Sequence, residues 1–291
     1  MLKDYRNTIF VEEAKILEHH AFEEGQYVLR VDAPKCAATA KPGQFAHIQC
    51  DLQRLMRRPL SIMRVSADEG WVEFLYKTVG EGTELLSEKK VMEFVSVMGP
   101  IGRPFNLNKE KPSALLLGGG VGIPPMICLA EQIKSEGETI IPTVFMGSEV
   151  PFPFKRKASE ILVNGIAADM NDCLPLLETW GIPSRLASLQ GYSGVYEGYI
   201  TDLARDWLNV LSDEEKSQVA IYSCGPTPML KAVAALAKEF DLPCQVSLEE
   251  YMACAVGGCA GCVVKVTTDE VESMKRVCVD GPVFDASTVF A

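Results

Sequence analysis

The chain has 291 residues, 47% hydrophobic and 23% charged, a globular composition that excludes a disordered or fibrous protein and leaves room for two domains. The net charge of −11 argues against a general nucleic-acid binder, because phosphate contacts require clustered Lys and Arg. The longest apolar stretches fall short of the roughly 20 residues of a membrane helix and the N-terminus lacks a signal-peptide layout, so we expect a cytoplasmic protein, not bound to membranes, with mostly reduced cysteines.

The residues from 8 to 108 contain short β-like segments separated by turn residues. These segments are "YVLRV" at 27–31, "QFAHIQC" at 44–50, "LSIMRV" at 60–65 and "WVEFLYKTV" at 71–79. Strands of this length and spacing indicate a small antiparallel barrel or sandwich, which we assign to residues 1–109.

Two stretches of this first domain have phosphate-binding chemistry. "MRRPLSIM" puts Arg58 and Ser61 on or beside a strand, and "YKTVGEGTELL" puts Gly82 and Thr83 ahead of a probable helix. An arginine offers a bidentate fork to a phosphate, and a helix start offers free N–H groups. Neither stretch is specific by itself, and an ordinary surface arginine is the alternative interpretation.

Residues 110–246 alternate between strands and helices. "ALLLGGGVG" at 114–122 is an apolar strand that runs into glycines, "PPMICLAEQIKSEG" is a helix, and "TIIPTVFMGS" is a second strand, which predicts a parallel sheet with crossover helices. Glycines between a strand and a helix allow close approach of a pyrophosphate. A tight turn without a ligand is the alternative. The glycines are Gly118, Gly119, Gly120 and Gly122.

A second strand-to-helix junction, "SCGPTPM", contains Cys224, Gly225 and Pro226. Ligands of open α/β sheets bind outside the carboxyl ends of the strands, so the two junctions predict one crevice for a dinucleotide. Glu149 fits the ribose contact of NAD, whereas Lys155 and Arg156 lie close enough in sequence to bind the 2′-phosphate of NADP. Of the two, we favour NAD.

The last segment, 247–291, contains a cysteine motif. Cys254-x4-Cys259-x2-Cys262 is followed by Cys278 after fifteen intervening residues, and this is the plant-type [2Fe-2S] spacing. Four cysteines can also hold zinc, but zinc modules more often pair two close knuckles, and only one close pair exists here. The spacing therefore predicts an iron–sulfur module.

The remaining cysteines and the histidines suggest little chemistry. Buried free thiols are the default for the isolated cysteines, whereas Cys224 lies at a strand end beside the presumed nicotinamide. His19 and His20 are expected to be a solvated pair, and with His47 alone on a strand the sequence predicts no histidine catalytic set. The isolated cysteines are Cys36, Cys50, Cys128, Cys173 and Cys244.

Several motifs together resemble the ferredoxin–NADP reductase superfamily. They are "PGQF" (42–45), "RPLS" (58–61), "GEGTELL" (80–86), "MGPIGRPF" (98–105), "GGGVGIPP" (118–125) and "CGPTPM" (224–229). Within it, the domain order and the phrase "SLEEYMACAVGGCAGCVV" are most similar to the electron transfer subunits of class 1B dihydroorotate dehydrogenase. The resemblance implies a FAD-binding antiparallel β-barrel, a parallel-sheet α/β domain for the nicotinamide nucleotide and a small C-terminal [2Fe-2S] module.

The resemblance also implies site residues. A flavin-binding strand would be formed by Arg58, Pro59, Leu60 and Ser61; Leu75, Tyr76 and Lys77 would line the same FAD, and Gly82 and Thr83 would hold its diphosphate. The nicotinamide nucleotide would contact Gly118, Gly119, Gly120, Gly122, Cys224, Gly225 and Pro226. The cluster ligands would be Cys254, Cys259, Cys262 and Cys278.

The implied function is an electron relay between NAD(H), FAD, the cluster and the FMN of a dihydroorotate dehydrogenase catalytic subunit, in a heterotetramer with two copies of each, and it requires no side-chain acid or base. A reductase of the same fold that serves ferredoxin or a sulfur compound is the alternative. Three residues depart from the usual pattern: Leu60 replaces a superfamily tyrosine, Tyr251 a typical arginine, and Ala255 a common glycine.

Overall fold

The computed structural model describes residues 8–51, 53–137 and 139–290, so the first seven residues of the predicted barrel domain lie outside it. The strands are β1 (Phe10–Phe22), β2 (Gln26–Asp32), β3 (Phe45–Gln49), β4 (Arg58–Ser66), β5 (Trp71–Lys77), β6 (Phe94–Ile101), β7 (Ser113–Gly119), β8 (Ile141–Gly147), β9 (Lys157–Ala158), β10 (Asp172–Cys173), β11 (Ser184–Ser188), β12 (Tyr196–Glu197), β13 (Val219–Cys224), β14 (Cys244–Ser247), β15 (Val263–Thr268), β16 (Val271–Arg276) and β17 (Val283–Asp285).

The helices lie between these strands, except for the last one, which follows β17. They are α1 (Pro34–Thr39), α2 (Glu81–Glu88), α3 (Ile123–Glu136), α4 (Pro175–Thr179), α5 (Ile200–Val210), α6 (Asp213–Ser217), α7 (Thr227–Glu239), α8 (Val277–Asp280) and α9 (Ala286–Val289). Within the described residues, no helix combines the length and the apolar character needed to cross a lipid bilayer.

The first six strands close into an antiparallel barrel in the order β1-β2-β5-β4-β3-β6. Alternate side chains along these strands form its core, because successive residues of a strand point to opposite faces. Ala46 and Ile48 of β3, for example, lie in the barrel core, which also contains Leu29, Val72 and Phe74. The predicted antiparallel barrel is confirmed.

The second domain is built on a seven-stranded sheet in the order β12-β11-β8-β7-β13-β14-β17. Every neighbouring pair is parallel except β14 and β17. Helices cover both faces: Leu116 of β7 packs in the core that includes α3, whereas Leu115 and Leu117 pack in the core that includes α5 and α7. The predicted parallel α/β domain is therefore confirmed.

The C-terminal segment leaves this sheet after β14 and returns to it as β17. Between them lie the cysteine loop, the antiparallel hairpin β15–β16 and α8. Met252, Cys262 and Cys278 share an apolar core with the barrel residues Phe45 and Ile101. The cysteine segment is thus packed against both the barrel and the α/β domain.

Candidate functional site

The four predicted ligand cysteines lie in two pairs. The Cys259 backbone N–H donates to Cys254 Sγ over 3.4 Å, and the Cys278 N–H donates to Cys262 Sγ over 3.5 Å. Cys259 is exposed and Cys254 half-buried, whereas Cys262 and Cys278 are buried. The pairs therefore form an outer and an inner half of one site.

The electrostatics of the two pairs differ. Burial alone would raise the pKa of the Cys254 thiol, but hydrogen bonds from the backbone N–H groups of Val256, Cys259 and Gly258 lower it to about 7. Burial and a hydrogen bond with Cys262 raise the pKa of Cys278 to about 12. Metal binding would therefore displace a proton from the inner pair, since a ligating cysteine is a thiolate.

The conformation of the cysteine loop depends on left-handed residues. Ala255, Gly257 and Ala260 have φ angles of 55°, 80° and 52°, values that favour glycine. A Cβ on Gly257 would lie 2.9 Å from a Val279 methyl and 3.2 Å from an Arg276 nitrogen. The loop thus folds tightly onto the turn that bears Cys278.

An ion pair holds that turn to the loop. Asp280 accepts from the backbone N–H of Arg276 at 2.9 Å and from its Nε at 3.1 Å, while Arg276 Nη1 donates to the Gly257 carbonyl at 3.1 Å. The i, i+4 spacing beside Cys278 was the sequence signal for this pair, which the motif analysis missed.

The donor set fits a two-iron cluster. No three His, Cys, Asp or Glu side chains in residues 8–51, 53–137 and 139–290 converge as ligands of a single ion would. Two thiol pairs match [2Fe-2S] chemistry, because each iron takes two thiolates and shares two bridging sulfides. Backbone N–H groups directed at the sulfurs provide the hydrogen bonds that tune such clusters.

The structure brings Arg58 and Gly82 together. A Cβ on Gly82 would lie 2.7 Å from Nε and Nη2 of Arg58, so the guanidinium lies over the first turn of α2. Thr83 is buried, and its hydroxyl accepts from the Val79 N–H and donates to the Gly80 carbonyl. A cation beside a helix N-terminus suits a diphosphate.

The other predicted flavin residues lie on adjacent strands, β4 and β5. Leu60 is 8% exposed and belongs to the barrel core, whereas Leu75 is 4% exposed and belongs to the same apolar core as Ile123 at the start of α3. The Tyr76 side chain is buried in the barrel and hydrogen-bonds His19 Nε2 at 2.9 Å. A flavin contact of Tyr76 would therefore come through its backbone. Pro59, Ser61 and Lys77 are half-buried.

The two glycine-bearing junctions meet in space, as predicted for a shared crevice. Cys224 pairs with Gly118 across β13 and β7. A Cβ on Gly122 would lie 2.3 Å from the Cys224 carbonyl oxygen and 2.5 Å from the Gly225 nitrogen. The two turns are thus in backbone contact, and Gly119, Gly120 and Pro226 belong to the same turns. Gly120, with a φ of 55°, has open space where a Cβ would stand.

Cys224 is fully buried beneath this junction. Burial raises the pKa of its thiol well above the ordinary value, and the nearby Glu249 carboxylate acts in the same direction. The thiol is therefore neutral at physiological pH, and because its side chain is fully buried, a contact of Cys224 with a bound nucleotide would come through its backbone. The isolated thiols predicted to be buried, Cys36, Cys50, Cys128, Cys173 and Cys244, are all buried.

The candidate phosphate-binding arginine near β8 already has partners. The Arg156 guanidinium donates to the Asp172 carboxylate and to the Ser193 carbonyl, and it lies 5.0 Å above the Tyr192 ring. Glu149 is exposed just past the end of β8. Of the two predicted phosphate-binding residues, Arg156 is therefore engaged within the protein, whereas Lys155 is exposed, as Glu149 is.

The histidines differ from the expected surface pattern. His19 is half-buried, because Nδ1 contacts the Lys89 carbonyl at 2.8 Å and Nε2 contacts Tyr76, so only His20 is the solvated residue that was predicted. His47 is fully buried between the barrel and the cysteine segment. The position of His47 on a strand gave no sign of this burial, because Met252, the residue of the cysteine segment near its ring, is distant in the sequence.

Residues 249–290 match the family model described as the iron–sulfur cluster binding domain of dihydroorotate dehydrogenase B. The chain is 33% identical over 277 residues to the dihydroorotate dehydrogenase B (NAD(+)) electron transfer subunit of Desulforamulus reducens, covering 94% of this chain and 95% of that protein. Its identity to the subunit of the same name from Geobacillus sp. (strain WCH70) is 33% over 283 residues, covering 96% and 98%.

Solved structures show the same fold. An NADH-dependent reduced ferredoxin-NADP oxidoreductase, studied for flavin-based electron bifurcation, superposes with a TM-score of 0.75 at 27% identity, covering 96% of this chain and 90% of that chain. A ferredoxin NADP+ reductase from Neisseria gonorrhoeae with bound FAD and NADP gives a TM-score of 0.58 at 18% identity, covering 79% and 91%.

Proposed function

The chain belongs to the electron transfer subunits of dihydroorotate dehydrogenase B, and on this basis we propose that it relays electrons between NAD(H) and the FMN of a catalytic subunit that converts dihydroorotate to orotate. The observation that carries the proposal is the double pairing of the cysteines, packed on the barrel next to the predicted flavin strand. When bound, FAD exchanges electron pairs with nicotinamide and single electrons with the cluster.

The barrel residues would bind FAD. Arg58 would neutralise the diphosphate at the start of α2, and the N–H groups of Gly82 and Thr83 would donate to it. The strand residues Pro59, Leu60 and Ser61 and the facing segment Leu75, Tyr76 and Lys77 would form the wall against the flavin. Leu75 would give this wall an apolar side chain, whereas the side chain of Leu60 belongs to the barrel core, so that Leu60, like Tyr76, would contact the flavin through its backbone.

The two junctions of the sheet would bind NAD. The packed glycine turn, Gly118 to Gly122, would let the backbone approach the pyrophosphate, and Cys224 to Pro226 would contact the nicotinamide end. Leu75 packs against the start of the helix that follows the glycine turn, so the flavin wall and the nicotinamide site are adjacent. NAD is preferred over NADP, because Arg156 is already bound to Asp172 and the curated relatives are named as NAD(+) subunits.

Each pair of cysteines would ligate one iron. The inner pair is Cys262 and Cys278, and the outer pair is Cys254 and Cys259. Because Cys259 is exposed, an iron held by the outer pair would lie near the surface, where a partner could approach it. We propose an FMN-containing catalytic subunit as this partner, with two copies of each chain in the complex.

All ten cysteines are free thiols, which is consistent with a cytoplasmic location.

A co-expression experiment tests the proposal. The chain and an FMN-containing dihydroorotate dehydrogenase subunit are purified anaerobically, and dihydroorotate-dependent reduction of NAD is measured for each alone and for the mixture. We expect a stable complex with NAD-linked activity that neither subunit shows alone. Absence of a complex, together with rapid NADH-dependent reduction of ferredoxin by the chain alone, would contradict it.

The second candidate function is an NAD(P)H reductase for another acceptor, such as ferredoxin or a sulfur compound. The similarity to the NADH-dependent reduced ferredoxin-NADP oxidoreductase favours it, because that structure superposes over 96% of this chain. Turnover with ferredoxin and with polysulfide in the same assay separates the two functions.

A further inference from the structure

His47 lies between the barrel and the cysteine loop. Its strand β3 pairs regularly with β4, so that His47 stands opposite Pro59 of the predicted flavin strand. Ala46 and Ile48 point into the barrel core, and Phe45 and His47 therefore point to the other face. On that face Phe45 packs in one core with Met252.

The polar ring of His47 is fully buried without a hydrogen-bond partner on either nitrogen. The carbonyl groups of Arg57 and Met252 lie near enough to act on the ring, although neither has hydrogen-bond geometry. A neutral imidazole carries one N–H donor, and a buried unsatisfied donor in a native protein calls for an explanation. Met252 belongs to the segment that leads into Cys254. A hydrogen bond from His47 to the Met252 carbonyl would therefore fix the position of a segment that bears a predicted cluster ligand.

We propose that His47 is a positioning residue: in the cofactor-loaded protein its N–H donates to the Met252 carbonyl and fixes the cysteine loop against the strand pair that carries the flavin contacts. The proposal rests on the proposed function of these residues. Electron transfer between flavin and cluster depends steeply on their separation, so a looser loop slows this internal step. Reduction of the flavin by NADH depends on the nucleotide turns of the α/β domain and not on the cysteine loop, so it serves as an internal reference.

Two non-donor variants, His47→Leu and His47→Phe, and one donor variant, His47→Gln, test this assignment. Gln26→Leu is the matched control, because Gln26 is a buried side chain that donates from Nε2 to the Pro151 carbonyl at 2.7 Å, an interdomain contact away from the cysteines. Each chain, loaded with FAD and cluster but without a partner subunit, is examined by amide hydrogen exchange over residues 249–262 and by stopped-flow absorbance after mixing with NADH.

For the non-donor variants we expect exchange at residues 249–262 to rise roughly tenfold and cluster reduction to slow by about tenfold or more relative to flavin reduction. His47→Gln should recover most of both effects, and Gln26→Leu should show neither. Wild-type exchange and wild-type cluster reduction in either non-donor variant would overturn the assignment, as would failure of His47→Gln to recover. Because no partner subunit is present, a wrong partner assignment leaves these results unchanged.

Discussion

His47 is also a titrating group whose surroundings define a pH dependence. Burial, together with the positive charges of Arg57 and Arg58, lowers the pKa of His47 to about 4, whereas the unfolded chain holds the ordinary value of about 6.5. Between these values the unfolded state binds a proton that the folded state excludes. The contribution of His47 to the free energy of unfolding is fully present above about pH 6.5. It is lost as the pH falls toward 4, by up to about 1.4 kcal/mol per pH unit.

Urea unfolding between pH 7 and pH 4.5 measures this effect. His47→Phe should flatten the dependence of the unfolding free energy on pH, whereas His20→Leu, a change at an exposed histidine, should retain the wild-type slope. Equal slopes for wild type and His47→Phe would show that His47 titrates normally.

Gly122 is the residue on which the contact between the two nucleotide turns depends. In Gly122→Ala the new Cβ would meet the Cys224 carbonyl and the Gly225 nitrogen, both backbone atoms that cannot rotate away. We expect a loss of about 1–3 kcal/mol in folding stability and a higher KM for NADH. Gly181→Ala is the control, because no atom lies near a Cβ at this position. The φ of 72° at Gly181 imposes strain of about 1–2 kcal/mol on an alanine, so this variant loses stability without a clash at the nucleotide turns. If both variants keep the wild-type KM, the turns do not bind the nucleotide.

At the scale of elements, helix α2 and strand β4 act together through Arg58. Arg58→Ala removes the cation from the start of α2, and a lost charge-assisted hydrogen bond of about 1.5–3 kcal/mol corresponds to FAD binding roughly 10–100-fold weaker. Arg54→Ala is the comparison, because Arg54 forms an ion pair with Glu81 of the same helix and is largely exposed. Fluorescence titration of the flavin-free protein measures both affinities, and equal losses would place the phosphate elsewhere.

At the end of the hairpin β15–β16, the Arg276–Asp280 pair joins strand β16 to the helix α8 that bears Cys278. Asp280→Asn weakens the contact that holds the Cys278 turn on the cysteine loop, so iron should be lost to a chelator about tenfold faster. Glu272→Gln, which breaks the exposed pair with Lys265 on the same hairpin, should retain the wild-type rate. The rate of iron loss to the chelator is measured by the decay of the cluster absorbance for both variants and the wild type. Identical rates for Asp280→Asn and the wild type would mean that the Arg276–Asp280 pair has no influence on the cluster.

The predictable elements were those whose determinants are local. The cysteine spacing and the glycine turns are readable because their residues are neighbours in sequence. Strands β1 and β6 escaped individual prediction: β1 carries polar residues on both faces over much of its length, with only Ala14 and Ile16 fully buried. His47, Arg156 and Arg276 were not assigned their contacts because each partner, Met252, Asp172 or Gly257, is brought near by the tertiary fold.

At the scale of the whole molecule, cofactor content is the simplest test. Chain purified anaerobically should be yellow-brown and contain one FAD, two iron atoms and two acid-labile sulfides, because two thiol pairs suit a two-iron cluster. Metal analysis and extracted-flavin absorbance measure this directly. Zinc in place of iron, in protein without flavin, would instead indicate a redox-inactive binding module on the same fold.

The pairing of β14 with β17 has a consequence for how such a protein can be built. Ser247 stands directly opposite Val283 in adjacent antiparallel strands, so everything from residue 248 to residue 282 begins and ends at one spot on the edge of the sheet. Antiparallel neighbours need only a short turn to connect them. The iron–sulfur segment is therefore an insertion between two neighbouring strands of the sheet: a tight turn in its place would keep β14 beside β17, but it would uncover the barrel residues Phe45 and Ile101 on which the segment packs.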